Sequence, residues 1–179
     1  YTIMIKEIFD KINNEKISHV FLQAGVGGMA AAAIAGFAKY SSNIPCFITV
    51  EPEDAECVLQ SIKNQKPTSI NIQKESIMGG MSCGDVSSLA WEILKYSANS
   101  SISISDKAIA PTVALLKQKE FSNEEIIAGE CGVPGVISLI SAMKDKNICQ
   151  KLNLNSQSNV LLIGCEGLTD SEMYNKLLK

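Results

Sequence analysis

Three glycines in Gln23-Ala24-Gly25-Val26-Gly27-Gly28-Met29-Ala30 stand between the apolar run His19-Val20-Phe21-Leu22 and an alanine-rich stretch that continues to Tyr40. The run reads as a short buried strand and the stretch as a helix. Glycines at a strand-to-helix turn let backbone N–H groups come close to an anion. The helix that follows turns its positive dipole end to the same point. Gly25, Val26, Gly27 and Gly28 are therefore expected to cradle a phosphate-bearing ligand. All 16 cationic residues are lysines and arginine is absent. A bidentate guanidinium clamp cannot form, so backbone amides or lysine must hold the anion.

The elements that position this turn follow from hydrophobic spacing. Thr2 to Asn13 has the pattern of an amphipathic helix, and Cys46 to Val50 that of a second strand ended by Glu51-Pro52. A helix is expected from Ala55 to Lys63 with Asp54 as N-cap, a short strand over Thr68–Ile72, and a helix over Ser88–Tyr96 capped by Asp85. Ser and Ile alternate from Ser101 to Ser105, as in a strand with one buried face. Asp106 opens a helix running to about Lys119, Val136 to Lys144 forms another, Val160 to Ile163 is the last strand, and Asp170 starts the final helix. Further glycine-rich segments lie at Gly79–Gly84, Gly129–Gly135 and Gly164–Gly167. Strand, glycine loop and helix thus recur, which predicts an α/β fold: three layers, a mostly parallel sheet with helices on both faces. Ligands bind beyond the carboxyl ends of the strands in such sheets, so at least the first and last glycine loops are expected to share one cleft.

Composition narrows the classes. At 179 residues with 46% hydrophobic content the chain suits a single α/β domain, residues 1–179. A net charge of −3 leaves no basic footprint for nucleic acid. No apolar run reaches the ~18–20 residues of a membrane span. The six cysteines form no C-x₂-C pair and His19 is the lone histidine, which argues against a metal site. Scattered cysteines without a secretory signal read as reduced, buried thiols in the cytoplasm. His19 reads as a satisfied residue at a strand start, and Met78, Met81 and Trp91 as core. The chain opens apolar at Tyr1 rather than on Met, as a fragment or processed chain would.

Two ligands compete for the first turn. Gly25 to Ala30 satisfies G-x-G-x-x-A, and Glu51 stands near the position of a ribose-binding acid, so a nicotinamide or flavin oxidoreductase is one reading. Glu51 also reads as the polar end of a buried strand.

The second reading rests on a resemblance. Phe21 to Ala30 resembles the phosphate loop of fold-type II pyridoxal-phosphate (PLP) enzymes, and more narrowly of the diaminopropionate ammonia-lyase family. Tyr1-Thr2-Ile3-Met4 resembles that family's Y-x-T-M, and Val50-Glu51-Pro52 to Cys57 its V-E-P-x-x-A-x-C. Ile77 to Gly84 resembles I-M-A-G-L-A-C-G, Trp91 to Leu94 W-E-I-L, Gly129 to Gly132 G-E-S-G, and Cys165 to Asp170 T-E-G-D-T-D. The order and spacing of these segments cover almost the whole chain.

The resemblance implies the C-terminal portion of a longer, homodimeric PLP enzyme that acts on a small amino acid. Its family reaction is α,β-elimination of 2,3-diaminopropionate to pyruvate and ammonia. It implies Gly25–Gly28 at the 5'-phosphate, Glu130 near the pyridine ring, and the Gly164-Cys165 loop beside the ring nitrogen. The family's Schiff-base lysine lies upstream of the glycine loop, so no residue here is nominated as catalytic and the chain alone is expected to be inactive. Three departures fall on the site: Gly164-Cys165 where the family has Ser-Thr, Cys131 for Ser, and Leu168 for Asp. Cys57 and Cys83 match family cysteines and are expected either to approach each other or to stand as separate buried thiols. A serine/threonine dehydratase and a non-catalytic phosphate-binding domain are the remaining alternatives.

Overall fold

In the computed structural model, residues 1–12 and 15–178 are described. Four parallel strands, β1 (His19–Gln23), β2 (Cys46–Pro52), β3 (Ser100–Ile104) and β4 (Val160–Leu162), pair in the order β3-β2-β1-β4. Alternation of side chains divides the core in two. From β1 and β2, Val20, Leu22 and Phe47 enter one apolar cluster, while Phe21, Ile48 and Val50 enter the other. The first cluster is completed by α1 (Thr2–Ile12), α2 (Gly28–Tyr40), α3 (Cys57–Asn64) and α4 (Ser88–Ser97). The second is completed by α5 (Ile109–Lys117), α6 (Pro134–Lys144), α7 (Lys146–Lys151) and α8 (Ser171–Leu177). Three layers result, as the strand–loop–helix recurrence predicts. The expected α1 ends at Ile12, and its last expected residue, Asn13, lies outside the described residues.

Several predicted caps are placed otherwise. Asp54 does not cap α3, whose N-cap position is Glu56 without a side-chain bond. The buried Glu51 carboxylate takes that role from β2, accepting the N–H groups of Val58 and Leu59 at 2.7 Å each. Asp85 accepts the Ser69 hydroxyl instead of capping α4, whose N-cap position is Ser87. Thr68–Ile72 forms no strand: Thr68 N–H donates to Ser61 Oγ at 2.9 Å and Ile70 N–H to the Gly84 carbonyl at 2.9 Å, so α3 and the second glycine loop satisfy its backbone. Asp106 begins a 3-10 turn (Asp106–Ala108) before α5, and its carboxylate accepts from Ser76 Oγ at 2.6 Å and Ile77 N–H at 3.1 Å. The helix after it stops at Lys117 rather than Lys119, whose φ is +64°. Helix α7, not foreseen, is capped by Asp145 through Asn147 and Ile148 N–H groups. Asp170 caps α8 as expected, accepting Glu172 and Met173 N–H groups at 2.9 Å.

His19 is buried, with Nε2–H donating to the Leu152 carbonyl at 2.7 Å and Nδ1 2.8 Å from Ser18 Oγ. It ties β1 to the end of α7 and is structural. Met78, Met81 and Trp91 are buried in the core. No described helix is long and apolar enough to cross a membrane.

Candidate functional site

The carboxyl end of β1 is where strand order changes direction: β2 lies on one side and β4, much later in sequence, on the other. A cleft of about 480 Å³ opens there. Its walls include Gly25–Gly28 from the β1–α2 turn, Gly80 and Cys83 from the second glycine loop, Cys131 from the third, and Cys165–Gly167 from the fourth. All four loops therefore meet, the first and last among them as expected.

The turn is built for close backbone approach. Gly27, the N-cap of α2, has φ +86°, a left-handed conformation that L side chains adopt at a cost. No side chain caps α2, so its first N–H groups, which lack partners within a helix, remain open to a ligand. A β-carbon at Gly25 would lie 3.0 Å from the Gly80 carbonyl oxygen and 3.1 Å from Cys83 Sγ, so the first two loops approach closely only because this position is glycine. A β-carbon at Gly28 would meet nothing within 4 Å, so the backbone there faces open space. Among the described residues no lysine lines the cleft. An anion would be held by amides and the helix dipole.

Gln23 closes the floor. Its Nε2 donates to the Ile163 carbonyl at 2.6 Å and the Cys131 carbonyl at 3.3 Å, joining β1, β4 and the third loop. Those two acceptors orient the amide and leave the buried Oε1 without a hydrogen-bond partner among the described residues. Cys165 lines the cleft, and its thiol donates to the Cys131 carbonyl at 3.1 Å. Glu130 is half-buried and Gly164 is exposed, and both stand beside the cleft rather than in its lining. Gly164 instead borders a second, apolar cavity of about 550 Å³ with Leu162 and Leu139.

The cysteines are free thiols, Cys57 and Cys83 included. Burial pushes Cys57 and Cys131 up to about 12, with the carboxylates of Glu51 and Glu166 adding to the respective shifts. Both thiols stay protonated at neutral pH and are poor nucleophiles. No group of three His, Cys, Asp or Glu suited to a metal ion occurs among the described residues. The arrangement can bind and orient, and holds neither an activated nucleophile nor a reactive lysine.

Glu51 decides between the two ligand readings. Its side chain is fully buried and both oxygens are engaged by the first turn of α3. The acid that a dinucleotide's ribose requires is thus turned away from the cleft. Sequence reasoning missed this because the partners, Val58 and Leu59, are backbone groups seven and eight residues on.

A parallel α/β sheet with a backbone-lined, lysine-free cleft at its switch point is the kind of place where folds of this class take small ligands. The chain belongs to the pyridoxal-phosphate dependent enzyme family, whose sequence profile matches residues 1–165. It is 32% identical to diaminopropionate ammonia-lyase of Escherichia coli K12 over 90% of the chain and 42% of that protein. The Salmonella typhimurium enzyme of the same name is 29% identical over 99% of the chain and 46% of its own length. The E. coli lyase crystallised in complex with D-serine superposes with a TM-score of 0.86 at 32% identity, covering 99% of this chain and 45% of that one. Threonine deaminase isoform 2 of Solanum lycopersicum, at 15% identity and a TM-score of 0.78 over 99% of this chain and 47% of its own, shares the fold. The chain thus spans less than half the length of these relatives.

Proposed function

We propose that this chain is the C-terminal portion, a single α/β domain, of a homodimeric cytoplasmic PLP-dependent ammonia-lyase that eliminates ammonia from 2,3-diaminopropionate and yields pyruvate. The observation that carries the reading is the cradle: an uncapped α2 N-terminus behind Gly25–Gly28, with open space at Gly28 and no lysine beside it. Gln23 lines the same cleft and ties its strand ends together through its side-chain amide. These residues fit a phosphorylated, hydrogen-bonding ligand of the size the cleft admits.

In this reading the N–H groups of Gly25, Val26, Gly27 and Gly28 hold the cofactor's phosphate. Gly164, Cys165 and Glu130 flank the ring, and Gln23 fixes the spacing of the strand ends beneath it. When bound, the cofactor supplies an electron sink for the carbon that loses its proton. The thiol of Cys165 is hydrogen-bonded to the Cys131 carbonyl, so it would offer a ring nitrogen less than a serine or threonine hydroxyl would. The lysine that binds the cofactor and the groups that handle the substrate's proton come from outside this chain. The cytoplasmic placement is supported by the six free thiols.

The full-length protein that contains this sequence, assayed with 2,3-diaminopropionate and with threonine, tests the reading. Pyruvate from the diamine is expected at least about tenfold faster than 2-oxobutyrate from threonine, which carries a β-hydroxyl and an extra methyl where the diamine carries only a β-amino group. The chain alone is expected to give neither product. Faster turnover of threonine would instead favour a dehydratase, which a 27% identical L-threonine dehydratase of Staphylococcus aureus makes the second reading.

A further inference from the structure

Two rim loops, Gly129–Val133 before α6 and Gly164–Thr169 after β4, approach each other closely, and one side chain does most of the joining. Glu166 Oε2 accepts the Cys131 N–H at 2.6 Å, a short, charge-assisted bond. Its main-chain carbonyl accepts the Gly129 N–H at 3.1 Å, and Thr169 Oγ1 donates to its Oε1 at 3.3 Å. A β-carbon at Gly129 would lie 2.8 Å from Glu166 Oε2, and one at Gly132 would lie 2.6 Å from the Glu166 carbonyl oxygen. The third loop is thus pressed against Glu166 at two positions where any side chain would collide. Glu166 is not needed to start α8, because Asp170 accepts both N–H groups there. It lines the cleft together with Cys131 and Cys165.

We propose that Glu166 is a positioning residue, a latch whose carboxylate holds the third glycine loop to the fourth and so sets the shape of the cleft rim. The latch acts through the Cys131 amide, while the Gln23 amide holds the other side of the same peptide unit's neighbourhood through the Cys131 carbonyl. What the rim faces rests on the PLP reading; the latch itself does not.

Amide hydrogen exchange of Cys131, read by NMR on the full chain without ligand, tests the latch. Glu166→Ala is expected to speed exchange at Cys131 by about tenfold or more. Glu166→Gln keeps an acceptor oxygen on the same stem and is expected to stay within about threefold. Exchange in β1 should be unchanged in both. Gly129→Ala, which drives a β-carbon against the carboxylate without removing it, should reproduce the selective rise. In the same variants pyridoxal phosphate should bind about tenfold more weakly to Glu166→Ala and near the parental level to Glu166→Gln. Unchanged Cys131 exchange in Glu166→Ala overturns the latch, as does an equal rise in β1, or loss of folding in both Glu166→Ala and Gly129→Ala. A selective rise without any pyridoxal phosphate binding by the parent leaves the latch standing and contradicts the cofactor reading.

Discussion

Gly27→Ala is expected to lower stability by about 2–4 kcal/mol, whereas Gly28→Ala, one residue on, should leave stability within about 0.5 kcal/mol and act on ligand binding alone. Gly27 has φ +86°, and an L side chain in the left-handed region costs roughly 1–2 kcal/mol. Its β-carbon would also stand 2.7 Å from Leu94 Cδ1 and 3.2 Å from Ala90 Cβ in the packed α2–α4 contact, where overpacking adds about 1–3 kcal/mol. Leu94 is fully buried and has little room to retreat. Gly28 opens α2, lacks the positive φ and has no neighbour for a β-carbon within 4 Å. A methyl there enters the space a phosphate would occupy. Urea unfolding midpoints for the two variants measure the contrast, and equal destabilisation would mean that the turn is not shaped as described.

Glu51 carries the second large effect. Glu51→Ala is expected to cost about 2–4 kcal/mol, because two buried N–H groups of α3 lose their acceptor and a void opens. Burial pushes this carboxyl up to about 7 from an ordinary 4.5, despite the opposing pull of the Val58 and Leu59 N–H groups. Between those values the folded chain holds a proton that the unfolded chain has released. The contribution to stability is therefore fully present below about 4.5 and is lost as pH rises through about 7. A rise of that size corresponds to about 3 kcal/mol. Chemical unfolding from pH 5 to 8 should show stability falling, and Glu51→Gln should flatten the curve. A parent whose stability rises over that interval would show the carboxylate to be favourably charged. At higher pH, Cys57 and Cys131 act in the same direction, because their thiols, raised to about 12, resist ionisation in the fold.

The four strands β1 to β4 and the glycine turn were legible because the forces that shape them are local. The β1 run, the glycine turn and the alanine-rich α2 follow one another without a gap, and side-chain alternation assigns Val20 and Phe21 to opposite faces. The carboxylates were less legible. Asp54, Asp85 and Asp106 each precede a helix, yet Asp85 and Asp106 accept from Ser69, Ser76 and Ile77, sixteen to thirty residues away, and Glu51 displaces Asp54. Local rules for capping cannot register a competing donor brought in by the fold. The same limit hid the Glu166–Cys131 bond, which joins residues 35 apart. Family resemblance marked Glu130, Gly164 and Cys165; of these Cys165 lines the cleft, while beside Glu130 it is the neighbouring Cys131 that does so. Helix α7 escaped notice because six residues hold too little periodicity to announce a helix.

The central claim is that the Gly25–Gly28 turn holds the phosphate of pyridoxal phosphate. Equilibrium binding of pyridoxal phosphate, pyridoxal and NAD to the full chain, for the parent and for Gly28→Ala, tests it most directly. The parent is expected to bind pyridoxal phosphate at least about tenfold more tightly than pyridoxal. NAD should not displace it, and Gly28→Ala should erase the preference. Equal affinity for pyridoxal phosphate and pyridoxal, or displacement by NAD, would contradict the claim.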